Sequence, residues 1–229
     1  MKKKTLFLFF LISLISFSQP TEPSKILIIY FSRTGNTEKF ANYIKEINEN
    51  ISEYKIEPTS PYTEDYNTML NIAQEEQKSN ARPEINNILN NVSDYDVILL
   101  GYPIWYSHIP NIIITQLEKL DLNGKTIYPF NTHGGSGTGS SINDIKSYAT
   151  NANVMDGFPI SMNDISNKNS SMEKIKNWLE KIIGEENNEI EEQSTQDSDE
   201  EEESENENNK SIFKKINHYL FYIICILLY

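Results

Sequence analysis

Three stretches of the chain are nearly continuous in apolar residues: Ile26 to Phe31, Asp96 to Gly101 and Lys125 to Phe130. Strands covered by helices on both faces lose the alternation of a half-exposed strand, so these runs predict buried, parallel strands. Ser52 to Glu57 and Asn153 to Asp156 are weaker strand candidates. Between the runs the apolar positions take the period of a helix. After the first run Phe40, Tyr43, Ile44 and Ile47 fall at i, i+3, i+4 and i+7, predicting a helix over Asn36 to Asn48. Further helices are predicted over Tyr66 to Lys78, Asn111 to Leu120, Ser140 to Ala149 and Ser171 to Ile183. The last carries Met172, Ile175, Trp178, Leu179 and Ile182 on one face, with Ser170 or Ser171 as cap and Gly184 as stop. Pro129, inside the third run, predicts an edge-tolerant or loop-proximal position. Alternating strands and helices imply a parallel sheet with right-handed crossovers and helices on both faces. In such folds a ligand sits at the carboxyl ends of the strands, so the loops after the three strong strands should carry function.

The first of these loops is Ser32-Arg33-Thr34-Gly35-Asn36-Thr37. It ends where a helix begins, so the free N–H groups of that helix point back into it and favour an anion. Gly35 permits the tight turn, and the hydroxyls of Ser32, Thr34 and Thr37 can donate to phosphate oxygens. An ordinary capped turn would need fewer hydroxyls. The second loop, Gly101 to Pro110, holds Tyr102, Trp105 and Tyr106 within five positions and is pinned by Pro103 and Pro110. Unless those rings fold inward they make a flat apolar wall for a planar ring. The third, Asn131 to Ser140, is rich in glycine, which lets backbone N–H and C=O groups approach a ligand edge. A phosphate loop, a stacking loop and an edge-reading loop together fit flavin mononucleotide, FMN.

These residues resemble the flavodoxin-like proteins, specifically the branch with YFSRTGNT, LGYPIW and THGGSG, read here at Tyr30 to Thr37, Leu100 to Trp105 and Thr132 to Gly137. Pro61-Tyr62, Asp65-Tyr66, Arg82-Pro83 and Gly124-Lys125 are also similar. The resemblance spans Ser24 to Gly184 and implies a three-layer α/β/α sandwich whose five-stranded parallel sheet has the order 2-1-3-4-5, with FMN at the switch point. It further implies that Ser32, Thr34, Gly35, Asn36 and Thr37 hold the phosphate. Pro103, Ile104, Trp105 and Tyr106 would flank the isoalloxazine, and Thr132, His133, Gly134, Gly135 and Gly137 would line its far edge. Arg33 is a candidate phosphate contact or a solvent-facing side chain. Where the branch usually has Trp-Trp-Gly this chain has Trp105-Tyr106-Ser107, which leaves the stacking residue open. His133 reads as the partner of a backbone hydrogen bond before a catalytic acid.

Charge refines the picture at the ends. Of 33 acidic residues, 13 fall in Glu185 to Asn209, a run without a basic residue, so the remaining 20 balance the 20 basic residues of the chain. No concentrated basic face remains for nucleic acid. The acidic run over 185–211 predicts a disordered linker. Lys2 to Lys4 followed by the apolar stretch Leu6 to Phe17 predicts a secretory signal peptide over 1–18. In the C-terminal segment 212–229 the apolar run Leu220 to Tyr229 is too short to span a bilayer and predicts an interfacial helix, a short tail anchor or a lipid-anchor signal removed on maturation. Cys225 is the only cysteine and the three histidines lack ligand spacing, so no metal centre is expected. Loop one lacks the G-x-G-x-x-G of a nicotinamide-binding domain, and neither a P-loop nor a G-x-S-x-G elbow occurs. The expectation is an exported or membrane-associated FMN protein that transfers electrons to a redox partner protein or a small-molecule acceptor. An FMN-dependent NAD(P)H:quinone oxidoreductase and a tethered flavin-binding module without catalysis are the alternatives.

Overall fold

The structure, a computed structural model, describes residues 24–185. The expected signal peptide, most of the acidic linker and the apolar tail lie outside them. Six strands form one sheet: β1 (Ile26–Tyr30), β2 (Ser52–Lys55), β3 (Val97–Pro103), β4 (Thr126–His133), β5 (Asn153–Val154) and β6 (Phe158–Ser161). All pairings are parallel, in the order β2-β1-β3-β4-β5, with β6 also on β4. The helices are α1 (Asn36–Ile47), α2 (Tyr66–Ser79), α3 (Asn111–Leu117), α4 (Ser141–Tyr148) and α5 (168–185).

Alternate residues of the central strands enter two cores. Leu27, Ile29, Ile98 and Leu100 pack on one face with Ile112 and Ile113 of α3 and Ile145 of α4. Ile28, Tyr30, Val97 and Leu99 pack on the other with Phe40 and Ile44 of α1 and Ile175 and Leu179 of α5. That two-sided burial is why the strands read as unbroken apolar runs. Every residue of α3 is buried, and its polar members are satisfied: Asn111 Nδ2 donates to the carbonyls of Glu76 and Ala81, and Gln116 exchanges hydrogen bonds with the Leu89 backbone.

Four expectations are corrected. Pro129 lies inside an interior strand, not at an edge. The N–H of Thr126 donates to Asp96 on the β3 side, so odd-numbered residues of β4 face β5 and β6. Pro129 therefore turns its missing N–H toward the break between β5, which pairs with Thr126 and Ile127, and β6, which pairs from Phe130 onward. The last strand is thus split in two, and its second piece, Phe158–Ser161, went unpredicted because it is short and contains Pro159. Strand β4 continues through Asn131, Thr132 and His133, which the sequence assigns to a loop. Finally, α5 starts at 168, so Ser170 and Ser171 lie inside it; Asn167 Oδ1 accepts from the Ser170 N–H, and Gly184 does not end it.

Candidate functional site

The loop after β1 turns into α1 at Gly35, whose φ of 83° is left-handed and suits glycine. No side chain caps the helix, and the first N–H to find a backbone acceptor is that of Lys39, on Gly35 O at 2.9 Å. The N–H groups of Asn36, Thr37 and Glu38 are thereby directed at the loop, a cradle for an anion. Asn36 Nδ2 donates to Thr34 Oγ1 at 3.3 Å, and Thr34 is exposed. Thr37 is different. Only 1% exposed, it shares a 2.9 Å hydroxyl hydrogen bond with Thr132, so its hydroxyl joins the ends of α1 and β4. Arg33 also looks away from the cradle: its guanidinium donates to the Thr63 carbonyl at 2.6 Å and ties down the loop after β2.

The loops after β3 and β4 are interlocked. Trp105 and His108 exchange backbone hydrogen bonds of 3.0 and 2.9 Å around a two-residue turn, with Tyr106 at φ 47° and Ser107 at φ 68°. Left-handed non-glycine residues each cost on the order of 1–3 kcal/mol, so something else must hold this turn. Four contacts do. The Ser140 N–H donates to Ser107 O at 2.6 Å, and Gln77 Nε2 donates to Trp105 O at 3.0 Å. Asp144, in the first turn of α4, accepts from His108 Nδ1 at 2.9 Å and from the Ile109 N–H at 3.2 Å. Gly139 lies so close that a Cβ there would meet Ser107 O at 2.5 Å.

Beneath the glycine loop runs a buried polar chain. Ser141 Oγ donates to Thr138 O at 2.6 Å, so Tyr102 OH must be the donor in its 3.0 Å contact with Ser141. Burial pushes the Tyr102 phenol up, which keeps that proton in place. Asn131, fully buried, donates to Gly137 O at 3.1 Å while its Oδ1 finds no partner among the described residues. The Ile104 N–H donates to Thr132 O at 2.9 Å and joins the β3 loop to β4. His133 Nδ1 accepts from the Gly135 N–H at 3.0 Å, which fixes the Nε2–H tautomer. Burial lowers the His133 pKa, opposed by Asp164, so the ring is neutral at pH 7.

Of the three aromatics expected to form a wall, Tyr102 folds fully inward and Tyr106 stands 45% exposed at the tip of its turn. Trp105 turns sideways, edge to face with Phe31 at 5.6 Å and with Tyr62 at 5.1 Å. Residues 103–106, 132–135 and 137 thus share one end of the sheet with residues 34–37 of the anion cradle. A further cleft lies elsewhere. It measures about 630 Å³, opens on the β2 side of the β1 loop, and includes only Ser32, Arg33 and Thr34 of the expected site residues. Its other walls are Phe31, Lys55, Ile56, Glu57, Pro58, Pro61, Tyr62, Glu64 and Asn86. Ser32 Oγ is buried and without a partner among the described residues. Tyr62 OH donates to Glu76 Oε2 at 3.2 Å; burial raises both pKa values, with the Tyr62 hydrogen bond pulling that of Glu76 back down. Sequence reading missed Glu76, Asn131, Ser141 and Asp144 as supports of the site, and Tyr62 entered only as part of a motif. Hydrogen-bond partners this far apart in sequence leave no periodic signal.

The sequence profile of the flavodoxin family matches residues 25–182. The chain belongs to the flavodoxin family. A structure from Bacteroides eggerthii, provisionally designated a flavoprotein, is 34% identical, with 70% of this chain and 98% of that one covered at a TM-score of 0.60. A counterpart from Bacteroides uniformis, designated likewise, is 29% identical over 69% of this chain and 99% of that one, TM-score 0.60. A flavoprotein of Lactobacillus acidophilus, in complex with FMN, is 25% identical over 63% of this chain and 97% of that one, TM-score 0.51. No curated protein matches the chain. Family membership agrees with the flavodoxin-like strand order read from the sequence.

Proposed function

We propose that this flavodoxin binds FMN at the carboxyl ends of β1, β3 and β4 and transfers electrons through it. The observation that carries the reading is the convergence of an uncapped helix N-terminus, a strained aromatic turn and a glycine loop, locked to one another by hydrogen bonds. FMN, when bound, supplies the redox chemistry, and the protein tunes it by hydrogen bonds, stacking and charge. The residues present fit that group. The open N–H groups of α1 and the Thr34 hydroxyl suit a phosphate. Tyr106 offers an exposed ring for stacking, and Gly134 an exposed backbone. His133, neutral, keeps Nε2–H as a donor. The carbonyl of Gly137 and the N–H of Gly135 are already engaged by Asn131 and His133, so they shape the loop instead of meeting the ligand. The FMN complex of the Lactobacillus acidophilus relative supports the same reading.

The surroundings favour low potentials, because acidic residues outnumber basic ones by 19 to 14 over Ser24 to Gly184 and disfavour added negative charge on the reduced ring. The electrons would pass to a redox partner protein or a small-molecule acceptor, with the chain exported or held at a membrane by its apolar tail. The visible spectrum of the full-length protein tests the cofactor: a yellow, protein-bound flavin is expected, and a colourless protein that leaves added FMN free contradicts it. Adding NADPH and a quinone to the loaded protein then separates carrier from enzyme, since rapid turnover would identify an oxidoreductase acting directly on nicotinamide.

A further inference from the structure

We propose that Met162, on the turn after β6, is a further ligand contact of the FMN site, its thioether covering the β6 side of the flavin ring. The inference rests on the FMN reading and adds to it a residue outside the three loops. Strand β4 has β3 on one side and β6 on the other, so the glycine loop after β4 lies between the turns that follow those two strands. The register of β4 with β6 ends at His133 beside Ser161, which brings Gly134 and Met162 side by side. Their contact is close: a Cβ on Gly134 would meet Met162 Cε at 3.2 Å. Among the described residues four large apolar side chains are exposed, Tyr66, Tyr106, Met162 and Ile183. Two of them, Tyr106 and Met162, each 45% exposed, stand on the turns that flank Gly134. A single exposed apolar side chain is ordinary on a protein surface. What distinguishes Met162 is a backbone held from both sides beneath a side chain that stands in solvent. Its N–H donates to His133 O at 2.9 Å, its carbonyl accepts from Ser166 Oγ at 3.2 Å, and the fully buried Ile165 anchors the turn in the core. The thioether is thus presented at a fixed place, beside the exposed Gly134 backbone that suits the ring edge. A polarisable sulfur on an unbranched chain adapts to the edge of an aromatic ring, and cover by that ring takes its apolar surface out of water. Tyr106 from the β3 side and Met162 from the β6 side would then bracket a flat body resting on Gly134.

Methionine oxidation in the dark footprints the contact on the full-length protein. Dilute hydrogen peroxide gives one oxygen to an accessible thioether sulfur and leaves as water, and peptide mass spectrometry reads the sulfoxide at each methionine. Without ligand, Met162 should oxidise at least about tenfold faster than the buried Met69. Saturating FMN should slow Met162 about tenfold and leave unchanged Met155, whose N–H bonds to Ile127 near the amino end of β4. Riboflavin, which has the ring without the phosphate, should protect in the same way, and inorganic phosphate should not. In a calorimetric titration Met162→Ala should weaken FMN about fivefold, whereas Met162→Leu, which keeps the apolar bulk, should stay within about twofold of wild type. The wild-type footprint carries the test if circular dichroism shows the alanine variant misfolded. Stoichiometric FMN uptake with Met162 oxidised at the ligand-free rate, protection by phosphate alone, or wild-type affinity in correctly folded Met162→Ala would overturn the proposal and leave the FMN reading standing. A protein that takes up no FMN would overturn both.

Discussion

The two sides of the anion cradle are built differently. Toward β3 and β4 the loops are cross-linked: Thr37 to Thr132, Ser107 to Ser140, His108 to Asp144, Asn131 to Gly137 and Tyr102 to Ser141. Toward β2 the chain around Pro58 to Glu64 is held by the Thr59 N–H on Glu84 O, by Arg33 on Thr63 and by the packing of Tyr62, and a cleft remains open. The locked side keeps two left-handed non-glycine residues in place before any ligand arrives, which is how a ring site is preorganised.

The contrast can be broken first at Gly139. Gly139→Ala would drive a Cβ against the Ser107 carbonyl at a position with φ 54°. It should cost about 3 kcal/mol of stability in chemical denaturation and weaken FMN binding as the two loops part. Exposed Glu64, on the cleft rim, is the control: Glu64→Ala should change stability by less than about 0.5 kcal/mol. Next comes Asp144→Ala, which strands the His108 ring and the Ile109 N–H; about 2 kcal/mol and a looser aromatic turn are expected, read by denaturation and by hydrogen exchange at Ile109. Thr37→Val should cost about 1–2 kcal/mol, because the buried Thr132 hydroxyl loses its partner. A stability equal to wild type would show that Thr37 is not a strut between α1 and β4.

The smallest effect concerns pH. The folded His133 pKa lies below its ordinary value of about 6.5, so the unfolded chain takes up a proton first as pH falls. Stability is therefore whole above about pH 6.5, declines as pH drops through that value, and levels off below the lowered folded pKa. Protonation also removes the Nδ1 acceptor from Gly135. FMN affinity should fall only at the lower end of that window, as pH drops through the lowered folded pKa, and His133→Gln should flatten the profile.

Much of this was legible in the sequence where burial and period agree. The apolar run before Ser32 and the stripe on α1 gave both the β1–α1 unit and its loop, because each residue's environment there follows from its own polarity. Asn131 and Thr132 misled for the opposite reason. They are polar yet buried: Thr132 is at home in β4 because its hydroxyl meets Thr37, 95 residues away, and Asn131 because its Nδ2 meets the Gly137 carbonyl across the turn of the glycine loop. Trp105 was read as part of the ring wall, and what turns it sideways is Tyr62, brought in by the β2 loop. Pro129 looked like an edge signal, and only the split of β5 from β6 shows how an interior strand accommodates it. The inward fold of Tyr102 and the sideways turn of Trp105 leave Tyr106 as the exposed ring, a distinction that three aromatics in five positions cannot express.

The most direct test of the FMN reading is a titration of the full-length protein with FMN followed by flavin emission, in wild type and in Gly139→Ala. The account predicts that wild type quenches the emission and saturates at one equivalent, whereas the variant binds more weakly. Emission that stays that of free FMN through the wild-type titration would contradict it.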